Sequence, residues 1–266
     1  MTIHHSFAVM AYKDSPFLAE CLDSIQSQTV ESKVYIATST MSAYLEGIAK
    51  KYNVEIFAAE PGRGIAYDWN FSLRKADTKY VTLAHQDDIY MPDYTSSCLR
   101  AAEEFDDTLI CFTGYSEIAG DKERSKTILL GVKKWMLRCF TPFRKDIRHK
   151  FWRKKLLSLG CPIAAPSVMY NLDLLSGFLF SSEFSINMDW DAWTRMTQMN
   201  GRFVYVDKVL LKHRIHPDSA TTSGLQNNFR QEEDLRMFNL FWPRFFAKLL
   251  ARLYSKSYRS NNDVLP

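Results

Sequence analysis

Apolar positions in the first ninety residues alternate between two periods. Short runs rich in β-branched and aromatic residues, Phe7–Tyr12 (FAVMAY), Val34–Ala37 (VYIA), Val54–Ala58 (VEIFA) and Tyr80–Ala84 (YVTLA), read as buried strands. Between them the spacing becomes helical. Phe17, Leu18, Cys21, Leu22 and Ile25 follow a Lys13-Asp14-Ser15-Pro16 turn, in which Ser15 suits the N-cap and Pro16 the first helical position. Ser42–Tyr52 is a second helix. Ile65–Lys75, entered through the loop Pro61-Gly62-Arg63-Gly64, is a third, with Trp69, Leu73 and Ala76 inward. The order βαβαβαβ predicts an α/β fold with a mainly parallel, doubly wound sheet. Right-handed crossovers place the loop after each strand on one edge of it.

The fourth strand does not end as the others do. Lys79–Pro92 reads KYVTLAHQDDIYMP, so a buried strand breaks into His85, Gln86, Asp87 and Asp88 before leaving through Pro92. Clustered carboxylates at the carboxyl edge of a parallel sheet occupy the place where α/β proteins hold ligands. One or two carboxylates together with substrate phosphates form a usual magnesium shell. The plainer alternative is a polar strand-to-loop junction with two solvated acids.

Composition narrows the class. Of 266 residues 46% are hydrophobic and 24% charged, with ten Gly and nine Pro and no repeat, which excludes a low-complexity or largely disordered chain. The five Cys are odd in number and widely spaced, without a CxxC pair, so neither a zinc site nor a disulfide framework is expected, and a reducing compartment is. MTIHHSFAVMAYKD has no signal-peptide pattern, and no stretch approaches the roughly 18 apolar residues of a membrane span. A cytoplasmic protein is expected.

Charge is unevenly spread. The net +4 combines +9 within residues 132–156 and +5 within 237–259 with −10 over the remainder, a pattern that points to an anionic partner met at a defined surface. In 132–156 the basic residues are interleaved with Trp135, Met136, Leu137, Phe140, Phe143, Phe151, Trp152 and Leu156. In 244–259, Arg244, Lys248, Arg252 and Lys256 share one helical face opposite Phe245, Phe246, Leu249, Leu250 and Leu253. A basic amphipathic helix suits an anionic membrane surface. It equally suits a helix docked on the domain. Single-stranded nucleic acid is a third partner of that chemistry, but no nucleic-acid fold is recognised, so no nucleic acid is expected.

Several motifs occur together. The first strand closes on Tyr12-Lys13-Asp14, a Gly64-x-Ala66-x-x-x-Asn70 helix follows, and the fourth strand enters Gln86-Asp87-Asp88. Downstream come Asp189-Trp190-Asp191-Ala192-Trp193-Thr194-Arg195 and His213-Arg214-Ile215-His216-Pro217-Asp218-Ser219-Ala220-Thr221. In this order, over roughly residues 5–222, the chain resembles the family 2 inverting glycosyltransferases of the GT-A fold, of the bacterial cell-surface polysaccharide type. It departs from them at three places: His85 stands where the metal motif Asp-x-Asp has its first acid, Thr38-Ser39-Thr40 stands where the second strand often ends in a base-contacting Asp, and Met188 replaces a frequent Glu.

The resemblance implies roles. Residues 1–130 would bind the nucleotide-sugar, 131–225 the acceptor, with the basic aromatic segment 132–156, and 226–266 would form a basic helical tail. Asp87 would hold Mg2+ or Mn2+ against the diphosphate, stabilising the charge of the leaving group. Asp88 would join through water or cap the turn, and His216 would complete the metal shell or touch phosphate. Tyr12, Asp14, Arg63, Asn70, Gln86, Arg195 and Arg214 would contact the nucleotide-sugar, the guanidiniums pairing with phosphate oxygens. Asp189 would take the acceptor proton in a single displacement. Asp191, about 200° round the helix, suits the helix dipole instead. His85, Trp190 and Asp191 remain for acceptor contact or support, His85 either as a second ligand, imidazole suiting manganese, or bonded to backbone. Trp190 and Trp193 suit either sugar stacking or core. The small-residue run in 160–172 would line the acceptor floor and lead to a helix.

The activity implied is transfer of a hexose or N-acetylhexosamine from a nucleotide-sugar, UDP-linked by preference, to a saccharide or lipid-linked acceptor in capsule or O-antigen assembly, on the inner face of the membrane. A nucleotidyltransferase is an alternative, weakened by the lack of Gly in the turn 12–16. A non-catalytic membrane-docking subunit is another.

Overall fold

The structure is a computed structural model that describes residues 3–120, 122–125, 127–141, 145–216 and 229–262. In the first half the elements are β1 (His5–Ala11), α1 (Leu18–Gln26), β2 (Lys33–Thr38), α2 (Ala43–Tyr52), β3 (Glu55–Ala58), α3 (Ile65–Lys75), β4 (Tyr80–His85), β5 (Ile89–Tyr90), α4 (Tyr94–Ala102), β6 (Thr108–Ala119) and β7 (Lys122–Arg124). Then come α5 (Ile128–Phe140), β8 (Asp146–Ile147), α6 (Lys150–Leu157), a 3-10 turn (Ala165–Ser167), β9 (Val168–Asn171), α7 (Met188–Met196), β10 (Arg202–Ile215), α8 (Phe229–Asn239) and α9 (Arg244–Asn262).

The ten strands form one sheet, ordered β3-β2-β1-β4-β9-β6-β10-β5, with β7 on β6 and β8 on β10. β1 is parallel to both β2 and β4, β2 to β3, and β6 to β10, while β9 runs antiparallel between β4 and β6. Successive side chains of a strand point to opposite faces, and here both faces are covered. Ala8, Val81, Leu83, Ile110 and Phe112 lie in one core, with residues of α5 to α9. Phe7, Val9, Ala11, Tyr80, Ala84 and Cys111 lie in the other, with residues of α1, α2 and α4. That two-sided burial explains why the strands read as near-continuous apolar runs.

Three expectations shift. The first helix begins at Leu18, because Ser15 Oγ accepts from Phe17 N at 3.3 Å and closes a turn ahead of it. The segment 160–172 becomes a turn and β9, a central strand, instead of leading directly to a helix. His213–Ile215 is the end of a 14-residue strand, β10. The rest of that motif, residues 217–221, and Phe143 of the basic segment lie outside the described residues. Gly201 makes the start of β10 possible: its φ is +129°, and a Cβ there would meet the Asp107 carbonyl at 2.6 Å.

α9 has two apolar faces, not one. Ala247 and Ala251 are buried and Leu250 and Tyr254 pack on the core, whereas Phe245, Phe246, Leu249 and Leu253 are exposed beside Arg244, Lys248 and Arg252. Trp135, Phe151 and Trp152 on α5 and α6 are also more than half exposed. No described helix is long and apolar enough to cross a membrane.

Candidate active site

The carboxyl end of β4 is tied down from two sides. Gln86 clamps it to β1: its Oε1 accepts from Tyr12 N at 3.1 Å and its Nε2 donates to Tyr12 O at 3.0 Å. On the other side β5 pairs with β10, Leu211 opposite Tyr90 and Lys212 opposite Ile89. Residues 86–88 are therefore a tight turn, with Asp88 N donating to His85 O at 3.3 Å, and the end of β10 is drawn across it.

β10 supplies the cations. Asp88 is fully buried, and its Oδ1 is shared by His213 Nδ1 at 2.9 Å and Arg214 N at 2.9 Å. Asp87 Oδ2 meets His216 Nε2 at 2.7 Å. Arg214 Nε donates to the Asp87 carbonyl at 2.9 Å, and its guanidinium continues to Glu20 and lies over the Phe17 ring. Burial drives the Asp87 pKa up, but the His216 hydrogen bond and the charges of His85 and His213 outweigh it and leave the carboxyl below its usual range. Burial pulls His213 down, yet the charge and hydrogen bond of Asp88 raise it to about 9.

The same cluster fits a divalent cation. One ligand atom from each of His85, Asp87 and Asp88 lies within 4.8 Å of the others. Asp88 Oδ2 and His85 Nε2 are both buried without a hydrogen-bond partner, and unpaired buried polar atoms of that kind are costly unless something binds them. His85 Nδ1 is 3.9 Å from Asp88 Oδ2, and the ring stands edge-on to Trp69 at 5.6 Å; no hydrogen bond from it to backbone is seen among the described residues. An imidazole with two carboxylates is a borderline donor set, better matched to manganese than to magnesium.

Asp189 stands apart from this network. It opens α7, where its Oδ1 accepts from Trp190 N at 2.7 Å, and no other hydrogen bond to its carboxylate is seen among the described residues. Burial raises its pKa, against the opposing pull of that N–H and of Arg230, Lys133 and His85. Asp189 in turn contributes to the upward shifts of Cys161 and Tyr170, which burial dominates. The carboxylate therefore lies within electrostatic reach of Cys161, of Tyr170 on β9, Lys133 on α5, Arg230 on α8 and His85 at the end of β4.

Two acids hold the start of α7 and carry no sequence signal. Glu233 on α8 accepts from the backbone N–H groups of Ser185, Ile186 and Asn187 at 2.7, 2.9 and 2.9 Å, and Asp234 takes Asn187 Nδ2 at 2.8 Å. They satisfy the free donors ahead of α7, although some fifty residues of chain intervene. Lys133, whose Nζ donates to Tyr115 Oη at 2.8 Å, was also not separable from the other cations of its segment by pattern.

Other expected contacts are engaged elsewhere. Asn70 exchanges two hydrogen bonds with the Phe180 backbone, at 2.9 and 2.8 Å. Arg195 binds Asp191 and the Leu179 carbonyl, both at 2.8 Å, over the Phe178 ring. The chemistry of Arg214 is used as described above. Trp190 is fully buried, its indole N–H on Leu157 O at 3.1 Å and its ring packed by Phe238, Phe241 and Tyr254, which leaves no face for a sugar; Trp193 is fully buried too. Asp14 accepts from Ser42 Oγ at 2.6 Å, and Arg63 pairs with Glu60 at 2.7 Å over the Tyr67 ring. Tyr12 is 57% exposed at the end of β1.

Known proteins bear on this geometry. The profile of glycosyl transferase family 2 matches residues 6–165. An uncharacterized glycosyltransferase of Methanocaldococcus jannaschii is 22% identical over 92% of this chain and 87% of its own length. Staphylococcus aureus TarS shares the fold at TM-score 0.62 and 13% identity, over 93% of this chain, which spans only 42% of that one. The 1–349 portion of TarS, solved with UDP-GlcNAc, gives 0.62 and 12% over 97% of this chain and 73% of that one. A mannosyltransferase of Pyrobaculum calidifontis, solved with GDP-Man and Mn2+, gives 0.64 and 14% over 94% and 69%. The fold is thus that of the GT-A glycosyltransferases.

Proposed function

The chain belongs to glycosyl transferase family 2, and on that premise we propose that it is an inverting glycosyltransferase that moves a hexose or N-acetylhexosamine from a nucleotide-sugar to a saccharide or lipid-linked acceptor in surface polysaccharide assembly. The observation that carries this reading is the pairing of an acidic turn at β4, met by His213, Arg214 and His216, with a carboxylate at the start of α7 that burial raises. One such carboxylate on the acceptor side suits a single displacement. The acceptor oxygen bonds to the sugar C1, the bond from C1 to the diphosphate oxygen breaks, and the acceptor proton passes to Asp189. Asp191 is unsuited to the task because Arg195 holds it. His85, Asp87 and Asp88 would hold Mg2+ or Mn2+, whose chemistry is to neutralise charge on the departing diphosphate. Gln86 fixes that turn against β1, and Trp69 packs edge-on against His85.

In this reading residues 1–130 bind the donor, 131–225 the acceptor, and 226–266 form a tail for membrane contact. The exposed aromatic residues of α5, α6 and α9 lie among lysines and arginines, each of which is worth about 1 kcal/mol near an anionic surface. This reading puts the acceptor at the inner leaflet. A panel of nucleotide-sugars assayed for hydrolysis and transfer, with and without chelator, tests the catalytic part. Release of no sugar from any donor in Mn2+ refutes it. Flotation with anionic and neutral vesicles tests the tail, and absence from both refutes the membrane part.

A further inference from the structure

The inner side of α9 meets the acceptor half through Tyr254. Cys161 N donates to Tyr254 Oη at 3.3 Å. Gly160, at φ +137°, admits the ring: a Cβ there would meet Tyr254 Cε2 at 2.9 Å. The same ring packs on Trp190 at 5.6 Å and on Phe238 of α8 at 5.6 Å. Tyr254 therefore touches both the start of the run 160–172 and the residue that follows Asp189. Cys161 is itself within electrostatic reach of that acid.

The outer side of α9 carries most of its large apolar groups. The helix buries Ala247 and Ala251 and packs Leu250 and Tyr254 on the core, while Phe245, Phe246, Leu249 and Leu253 are exposed. Apolar burial stabilises in proportion to area, so those four side chains contribute little to seating the helix on the domain. Their stripe adjoins α6. Lys155 lies over the rings of Phe151 and Trp242, at 5.8 and 5.1 Å, and Trp242 Nε1 donates to Ser158 O at 2.7 Å. Phe151 and Trp152 are exposed on the same helix. Arg244, Lys248 and Arg252 flank the stripe, and residues 237–259 contain no acid. An anionic surface that engages α6 and α9 together binds the seated helix more tightly than a detached one. Differential affinity of that kind shifts the helix toward its seat.

We propose that Tyr254 is a positioning residue of the acceptor side, through which contact of α6 and α9 with an anionic membrane fixes the Gly160-Cys161 backbone and the start of α7. This rests on reading Asp189 as the base and the basic helices as a membrane surface, and it goes beyond both. The tail is then part of the acceptor site, and the surface that presents a lipid-linked acceptor also orders the backbone beside the group that deprotonates it.

Hydrogen exchange of the full chain, read by mass spectrometry, tests the coupling in vesicles of phosphatidylglycerol and phosphatidylcholine and in vesicles of phosphatidylcholine alone. The anionic vesicles should slow exchange of wild type about threefold or more in peptides covering 160–165 and 187–191, and the neutral ones should not. Tyr254→Phe, which keeps the ring and loses Oη, should float with the anionic vesicles while the slowing at 160–165 becomes clearly smaller. A role confined to folding would instead raise exchange in that variant by the same factor with and without vesicles. If Tyr254→Phe does not fold, the double variant Leu249→Ser, Leu253→Ser on the outer stripe should lose flotation and slowing together. Vesicle-bound wild type with unchanged exchange at 160–165, equal slowing by neutral vesicles, or full slowing retained by Tyr254→Phe overturns the inference and leaves the glycosyltransferase reading intact. Failure to float with anionic vesicles overturns it together with the membrane part of that reading. Slowing as expected, with no nucleotide-sugar hydrolysed in Mn2+, removes the glycosyltransferase reading alone.

Discussion

The two acidic ends of the site are built on opposite electrostatic plans. At the β4–β10 seam, two aspartates are met by three histidines and an arginine, and the Asp87 carboxyl is held below its usual range despite its burial. On α7, Asp189 accepts one backbone N–H among the described residues, and burial holds it above that range against the weaker pull of Arg230, Lys133 and His85. Residue type is the same; the charge supplied by neighbours decides the outcome. The first arrangement favours the ionised form of Asp87 and fixes both acids in place. The second leaves an anion poorly solvated and ready to take a proton. β10 brings the charges to the β4 turn, whereas α7 is held by the acids of α8 at its start and by the packing of Trp190 along its length.

The largest effect that breaks or upholds this contrast is Asp189→Asn. General-base catalysis contributes about 10²–10⁴-fold, so transfer should fall by that much while donor affinity stays near wild type. Transfer within threefold of wild type would remove Asp189 as the base and collapse the contrast. The pH profile sharpens it. A base works deprotonated, so kcat/KM should fall as pH drops through a value above the ordinary 3.8 of an aspartate. An acid limb at or below 3.8 would mean that burial is not shaping the group.

The seam is expected to answer in stability before it answers in rate. Asp88→Asn removes the negative partner of a raised His213 in a fully buried position, and breaking such a pair costs about 3 kcal/mol or more. Asp87→Asn, at a carboxylate that solvent still reaches, should cost about 1 kcal/mol while abolishing the response of donor hydrolysis to Mn2+. Denaturant titration of the two variants separates these roles. Equal loss in both would show that the two acids are interchangeable.

Much of this was readable in the sequence, and unevenly so. The first four strands and their helices were readable because local pattern and tertiary environment agree there; Ile65–Lys75 matches α3 at both ends. The acidic turn was legible because His85-Gln86-Asp87-Asp88 is contiguous. Of its partners, His216 and Arg214 were reached only through the resemblance, and His213 was not reached, because β10 joins the turn from 125 residues away. Tyr254 was hidden for a similar reason: on α9 it reads as one more aromatic of an amphipathic helix, and only the Gly160-Cys161 contact marks it. Trp190 shows the other limit. Its motif left it between sugar platform and core, and the packing of α8 and α9, which uses both its faces, decides for core.

The smallest expected effect isolates burial, the dominant cause at Asp189, at a position outside the candidate site. His5 on β1 is fully buried, with Nδ1 at 2.9 Å from Ser32 Oγ and Nε2 at 2.9 Å from Thr82 Oγ1, and burial lowers its pKa from 6.5 to about 3. The folded state thus holds this histidine neutral where the unfolded chain protonates it. Its contribution to stability is complete above pH 6.5 and is lost as pH falls from there toward 3, by at most about 1.4 kcal/mol per pH unit. His213, raised to about 9, has the opposite sign: its contribution is complete below 6.5 and is lost as pH rises through about 9. Urea unfolding at pH 5 and pH 7 should show the wild type losing stability on the acid side and His5→Gln losing measurably less. Parallel pH curves for the two proteins would mean that burial alone does not set these shifts, and the account of Asp189 would fall with that of His5.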